Sequence, residues 1–149
     1  MPSASTVFVD TNVLLYAQDP RSADKQTMAA QWLQYCWENQ IGRLSNQVLH
    51  ELYANLRRAA PTLRIEQARS MVRRYRGWRP WLVDEATVDL CWLLQDRYNL
   101  SYWDALMVAS AQQQGCRYLL TEDLQHGQQM DNLQIINPFK TNAAALGLS

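Results

Sequence analysis

The chain has 149 residues, 48% of them apolar and 19% charged, and its basic and acidic side chains cancel to a formal net charge of zero. This composition excludes a disordered protein, and the length suits one domain that buries a core without the help of a disulfide or a metal. Cys36, Cys91 and Cys116 form no Cys-x-x-Cys pair, and His50 and His126 are the only histidines, which excludes a disulfide framework and a His-rich or zinc centre. Met1 to Thr6 carries no basic residue and no apolar run approaches a membrane span, so neither a signal peptide nor a membrane segment is expected and a cytoplasmic location is.

Val7-Phe8-Val9 is a β-branched and aromatic run without polar alternation, the pattern of a strand buried on both faces in a parallel sheet. It ends at Asp10, after which Thr11-Asn12 leads into a short helix carried by Val13, Leu14, Leu15 and Ala17. Asp10 therefore stands at the carboxyl end of a central strand, the edge at which open α/β sheets bind ligands. The competing reading is a helix N-cap at Asp10 or Thr11. Gln18 to Asp24 is a loop marked by Asp19-Pro20, and Ser22 or Asp24 caps a helix whose stripe is Met28, Ala29, Trp32, Leu33, Cys36 and Trp37. Gly42 ends that helix and Arg43-Leu44-Ser45 reads as a second strand.

Ser45 or Asn46 caps the next helix, with Val48, Leu49, Leu52, Tyr53 and Leu56 inward. Glu51 borders this stripe and reads either as an edge residue or as a ligand. Pro61-Thr62 breaks the chain, and Thr62 is expected to cap an arginine-rich helix that Gly77 ends. Trp81-Leu82-Val83 reads as a third strand, and Asp84 caps a helix running to about Asn99. Ser101 opens a helix apolar nearly all round through Leu106, Met107, Val108, Ala109 and Ala111, hence a buried one. Tyr118-Leu119-Leu120 is a fourth strand leading into Thr121-Glu122-Asp123, and Gln134-Ile135-Ile136 is a fifth. Residues 141–149 have little to pack and are expected to fray. Strands alternating with helices imply a central parallel sheet of about five strands with right-handed crossovers.

The neutral total hides a division. Between positions 57 and 79 lie eight arginines and a single acid, Glu66, interleaved with Tyr75 and Trp78. A run of one sign is either a solvated face or a grip for a polyanion, and arginine forks match phosphate. The acids make a second set. Asp10 and Asp123 both follow buried strands, so they emerge at one sheet edge. Asp104, in Ser101-Tyr102-Trp103-Asp104, fits a capping box but shares a face with Met107, Val108 and Ala111. An inward acid in so apolar a helix is costly unless paired or metal-bound. Four converging carboxylates with Glu51 among them repel one another, and a divalent cation resolves that repulsion. Oxygen donors without suitable His or Cys point to Mg²⁺ or Mn²⁺, with Thr11, Asn12 and Thr121 as hydrogen-bond supports.

Four segments carry a resemblance: Phe8-Val9-Asp10-Thr11-Asn12-Val13-Leu14, Ser45-Asn46-Gln47-Val48-Leu49-His50-Glu51, Ser101-Tyr102-Trp103-Asp104-Ala105-Leu106, and Leu119-Leu120-Thr121-Glu122-Asp123-Leu124-Gln125, with Ile136-Asn137-Pro138-Phe139 following them. In order and spacing they resemble the PIN-domain ribonucleases, and among these the VapC-type toxins of bacterial toxin–antitoxin modules. The resemblance implies one PIN domain over 1–149, a three-layer α/β/α sandwich, and Asp10, Glu51, Asp104 and Asp123 as metal-binding, catalytic acids. It implies Mg²⁺- or Mn²⁺-dependent hydrolysis of an RNA phosphodiester, leaving a 5′-phosphate and a 3′-hydroxyl. It implies a homodimer and a cognate antitoxin as partners. Arg57, Arg58, Arg73, Arg74 and Arg76 are the candidates to grip RNA. Glu122 competes with Asp123 for the fourth acid. The remaining alternatives are a housekeeping PIN nuclease, a phosphatase with Asp10 as nucleophile, and a non-catalytic RNA-binding module.

Overall fold

The computed structural model describes residues 5–147. Five strands form one sheet in the order β2-β1-β3-β5-β4: β1 (Val7–Val9), β2 (Gly42–Arg43), β3 (Tyr118–Leu120), β4 (Gln129–Met130) and β5 (Leu133–Ile136). β1 runs parallel to β2 and β3, and β3 parallel to β5; β4 alone is antiparallel, closing a hairpin on β5. Every residue of β1 and β3 is buried, which requires cover on both faces and explains why neither strand alternates. The cover is helical: α1 (Thr11–Tyr16), α2 (Ala23–Glu38), α3 (Asn46–Ala59), α4 (Ile65–Tyr75), α5 (Glu85–Tyr98) and α6 (Tyr102–Gln113). α1 packs against α2 and α3, α4 against α3, and α5 against α6. α6 buries seven consecutive residues from Ala105 to Ala111, as its apolar circumference demands.

Register positions the site. Val9 pairs with Leu120, so the next residues, Asp10 and Thr121, leave β1 and β3 side by side at the same edge. Helix starts follow the expected chemistry at three places. Ser45 accepts from the Val48 N–H, Asp84 from the Thr87 N–H and Ser101 from the Asp104 N–H.

Several expectations change. Helix α2 ends at Glu38, and Gly42, expected to end it, lies in β2 with Arg43, so the second strand is not Arg43-Leu44-Ser45. Trp81-Leu82-Val83 is no strand: Trp81 makes one bridge with Ser45, and Leu82 is exposed. Pro80 brings no N–H and Asp84 already begins α5, which leaves no length for a ladder. The fifth strand of the sheet is β4 instead, two residues without apolar pattern. Thr62 does not cap α4; the helix starts after Arg64, whose N–H donates to the Gln67 side chain at 2.9 Å. Ser22 occupies the N-cap of α2 without a side-chain capping bond. Towards the C-terminus, Trp32 Nε1 donates to the carbonyls of Pro138 and Thr141, and Ala143, in a 3₁₀ turn over Ala143–Leu146, is buried. Leu148 and Ser149 lie outside the described residues.

At the opposite end of the sheet, an ideal Cβ on Gly42 would stand 2.5 Å from the Trp78 ring. Trp78 in turn packs with Trp37 and Tyr75, an aromatic trio that seats the end of α4. The three cysteines are buried and unpaired, and burial pushes the Cys36 thiol up to about 12 and that of Cys116 to about 11, so neither is a nucleophile. Among the described residues no helix is long and apolar enough to cross a membrane.

Candidate active site at the carboxyl edge of the sheet

Asp10, Glu51, Asp104 and Asp123 line one depression of about 130 Å³, with Thr11, Asn12, Gln47 and Trp103. Four separate pieces of chain deliver the acids: the end of β1, the second turn of α3, the first turn of α6 and the segment after β3. Asp10 is the deepest, 7% exposed. It holds the N-cap position of α1, and its side chain accepts from Thr121 Oγ1 at 2.9 Å. The same Thr121 oxygen accepts from the Asp123 N–H at 3.1 Å, so one buried hydroxyl sets two of the four acids. Thr11 Oγ1 donates to Glu51 Oε2 at 2.9 Å and Gln47 Nε2 to Glu51 Oε1 at 2.8 Å, which engages both carboxylate oxygens. Asn12 Nδ2 lies 3.3 Å from Asp123 Oδ2.

Electrostatics follow from this crowding. Burial pushes the Asp10 carboxyl up to about 7; Asp123 and Glu51 push the same way, against the Thr121 hydroxyl and the Asn12 N–H, which favour the anion. Burial also raises Asp104, with Asp123 adding to it and the Ser101 hydroxyl opposing. The lining includes no lysine, arginine or histidine.

Glu122 faces elsewhere. Its carboxylate takes the Lys25 ammonium at 2.8 Å and the Tyr16 hydroxyl at 2.6 Å, and Lys25 lies over the rings of Tyr16 and Phe139. Of the two neighbouring acids, the pocket contains Asp123. Lys25, the lysine that an Asp-nucleophile phosphatase would need at Asp10, is held by Glu122.

The acids are neighbours without forming a closed cage. Among the described residues no group of three or more His, Cys, Asp or Glu side chains is placed to hold a metal ion as it stands. The donor set nonetheless suits a hard divalent cation: all oxygen, with a buried carboxyl beside two other acids and no cationic side chain to offset them. Gln47 Oε1 is buried without a hydrogen-bond partner at the same place, a further acceptor facing no donor of the protein.

The arginine candidates separate. Arg73 and Arg76 line a groove between α3 and α4. Arg74 lies over the Trp37 ring at 4.6 Å, and Arg57 donates to the Leu63 carbonyl in the α3–α4 connection. Arg58 is exposed at the end of α3. Gln47, Trp103, Tyr53 and Arg69 escaped the sequence reading. Gln47 was legible as the residue one turn before Glu51, and Arg69 as the residue one turn before Arg73.

The fold is shared with solved structures. A chain of a toxin–antitoxin complex from Klebsiella pneumoniae aligns with a TM-score of 0.63 and 17% identity, over 90% of this chain and 98% of that one. VapC20 of Mycobacterium tuberculosis, described as a sarcin–ricin loop cleaving toxin, aligns at 0.59 and 21%, over 79% and 92%. VapBC2 of Rickettsia felis, bound to a DNA fragment of its promoter, aligns at 0.58 and 15%, over 87% and 96%. No curated protein matches by sequence. The PIN-domain family model matches residues 7–129, which carry Asp10, Glu51, Asp104 and Asp123, and the chain belongs to the PIN-domain family.

Proposed function

We propose that this chain is the toxin of a type II toxin–antitoxin module and acts as a Mg²⁺- or Mn²⁺-dependent endoribonuclease. The observation that carries this reading is Asp10. A buried carboxyl is set between two other acids, lined by no basic residue, and oriented by a buried threonine. Evolution of such a cluster for stability alone is unfavourable, since each carboxylate opposes its neighbours.

Asp10, Asp104 and Asp123 would hold the cation, with Glu51 completing the site or orienting water. When bound, the cation supplies an activated water and offsets charge on the phosphoryl oxygens. The chain's own groups do the positioning. Thr121 holds Asp10 and Asp123 in register, Asn12 steadies Asp123, and Thr11 with Gln47 fixes both oxygens of Glu51. Fixing both oxygens keeps Glu51 in one orientation, suited to accepting a proton from the attacking water. The products would be a 5′-phosphate and a 3′-hydroxyl. Arg58, Arg73 and Arg76, exposed on α3 and beyond, would meet the RNA backbone.

An antitoxin and a second copy of the chain are the proposed protein partners. Leu82, Leu93, Trp92 and Trp103 are all more than half exposed, an unusual amount of bare apolar side chain around α5 and the start of α6. The toxin–antitoxin complexes among the structural neighbours support the antitoxin.

The test pairs growth with chemistry. The wild-type chain and Asp10→Asn and Asp104→Asn variants are induced in a bacterial host, then purified and incubated with structured RNAs, including a sarcin–ricin loop, in Mg²⁺, Mn²⁺ or chelator. Growth arrest and chelator-sensitive cleavage by the wild type alone are expected. Cleavage that survives chelator would overturn the metal reading, and cleavage without arrest would favour a housekeeping nuclease.

A further inference from the structure

We propose that the groove between α3 and α4 is a subsite for an unpaired nucleotide of the RNA, one that flanks the bond cleaved at the acid pocket. The groove holds about 400 Å³, within the range of small-ligand sites. Leu49 and Val72 give it an apolar floor. Tyr53 supplies an exposed ring whose hydroxyl accepts from Arg69 Nε at 3.1 Å, and Arg73, Arg76 and His50 complete the wall. No carboxylate lines it.

Three observations select RNA as the occupant. The first is charge. Among the described residues the ion pairs are Arg21–Asp19, Lys25–Glu122 and Arg97–Asp131, so none of the arginines between 57 and 79 forms an ion pair with another described residue. Arg69, Arg73 and Arg76 recur at three- and four-residue spacing and therefore share one face of α4 and its continuation. The second is the pairing of a ring with guanidinium groups over an apolar floor. Unpaired bases stack on such rings and planes, and adjoining phosphates take the forks. The third is position. Asn46, Leu49, His50 and Tyr53 face the groove, whereas Gln47 and Glu51, their immediate neighbours on α3, face the acids. The two sites are separated by one helix, about 10 Å across, so a single strand that crosses the amino-terminal turns of α3 reaches both.

This inference rests on the ribonuclease reading, and the experiment separates the two. A fluorescein-labelled single-stranded RNA of mixed sequence is titrated with the full-length chain in chelator, where anisotropy reports binding without cleavage. Tyr53→Ala is expected to weaken binding roughly 5- to 100-fold, the range for loss of a stacking side chain. Tyr53→Phe, which keeps the ring, is expected to bind like the wild type. Arg73→Gln with Arg76→Gln should lower the slope of log affinity against log salt by about 0.7 for each arginine. Because all three side chains are exposed, circular dichroism should be unchanged. RNA carrying 4-thiouridine should crosslink to peptides containing Tyr53 or residues 69–76.

Unchanged affinity and salt slope in both variants would overturn the subsite, even with metal-dependent cleavage intact. Loss of self-association or antitoxin binding in Tyr53→Ala with RNA affinity intact would also overturn it and assign the groove to a protein. Weakened RNA binding by the variants of a chain that cleaves no RNA would refute the nuclease and overturn the placement beside a cleaved bond, while the groove would stand as a nucleotide site.

Discussion

Thr121 Oγ1 donates to Asp10 Oδ2 at 2.9 Å across the boundary between β1 and β3. The two residues are distant in sequence and meet because Val9 and Leu120 are paired in a parallel register. That single hydroxyl also receives the Asp123 N–H, so removing it disturbs two acids without changing any charge. Thr121→Val is nearly isosteric and is expected to cost about 10- to 100-fold in Mn²⁺ affinity or in kcat/KM on RNA. Calorimetric Mn²⁺ titration beside RNA-cleavage kinetics checks this, and wild-type values in both would remove Thr121 from the site.

The protonation of Asp10 makes stability depend on pH. Its carboxyl is raised from an ordinary 3.8 to about 7 in the folded chain. Between these values the folded state binds more protons than the unfolded state, so the contribution to stability is full at low pH and is lost as pH rises through about 7. In metal-free protein, Asp10→Asn should raise the melting temperature at pH 8 by about 5 °C and leave it nearly unchanged at pH 4. It should also abolish RNA cleavage. Scanning calorimetry in chelator at the two pH values decides; equal shifts at both would show that burial of Asp10 carries no proton linkage.

Glu122 and Asp123 are neighbours with opposite assignments. Glu122→Gln breaks the contact with Lys25, a partly exposed ion pair worth less than about 1 kcal/mol, and is expected to leave cleavage at the wild-type rate. Asp123→Asn is expected to lose cleavage by at least about 100-fold, beyond the usual cost of a supporting residue. A reversed outcome would exchange the two roles.

Glu51 depends on two donors. Thr11→Val and Gln47→Leu each free one of its oxygens. Each is expected to lower kcat about tenfold with little change in KM, because orientation rather than RNA affinity is lost. Steady-state kinetics on one RNA resolves the split, and a change confined to KM would place both residues on the RNA surface instead.

Gly42 tests the packing opposite the site. A methyl group there meets the Trp78 ring at 2.5 Å, so Gly42→Ala is expected to cost about 1–3 kcal/mol of stability through overpacking. Urea denaturation measures it. Adding Trp78→Leu should recover part of the loss; no recovery would assign the cost to the backbone of β2.

The sequence by itself determined the alternation of strand and helix, the two fully buried strands and the residue types of the acid set. These are legible because burial on both faces forbids polar alternation, and because an acid at a strand end interrupts an otherwise apolar pattern. It also determined the caps at Asp84 and Ser101, whose side chains act within their own turns, and narrowed that of α3 to Ser45 or Asn46, of which the structure selects Ser45. Tertiary structure decided what depends on register and on facing. Strand β4 has two residues and is defined by β5 alone. Trp81-Leu82-Val83 has strand composition but no room beside Pro80 and α5. Glu122 and Asp123 are equal as carboxylates, and only the direction of each backbone position sends one to Lys25 and the other to Asp10. The arginines formed one run in sequence, yet helix geometry turns Arg74 onto Trp37 and Arg73 and Arg76 into the groove with Tyr53. Asp10 shows the division most clearly. One strand placed it at the sheet edge as either a cap or a ligand, and its raised proton affinity arises only when the fold buries it and brings Asp123 and Glu51 close, against the Thr121 hydroxyl, which favours the anion.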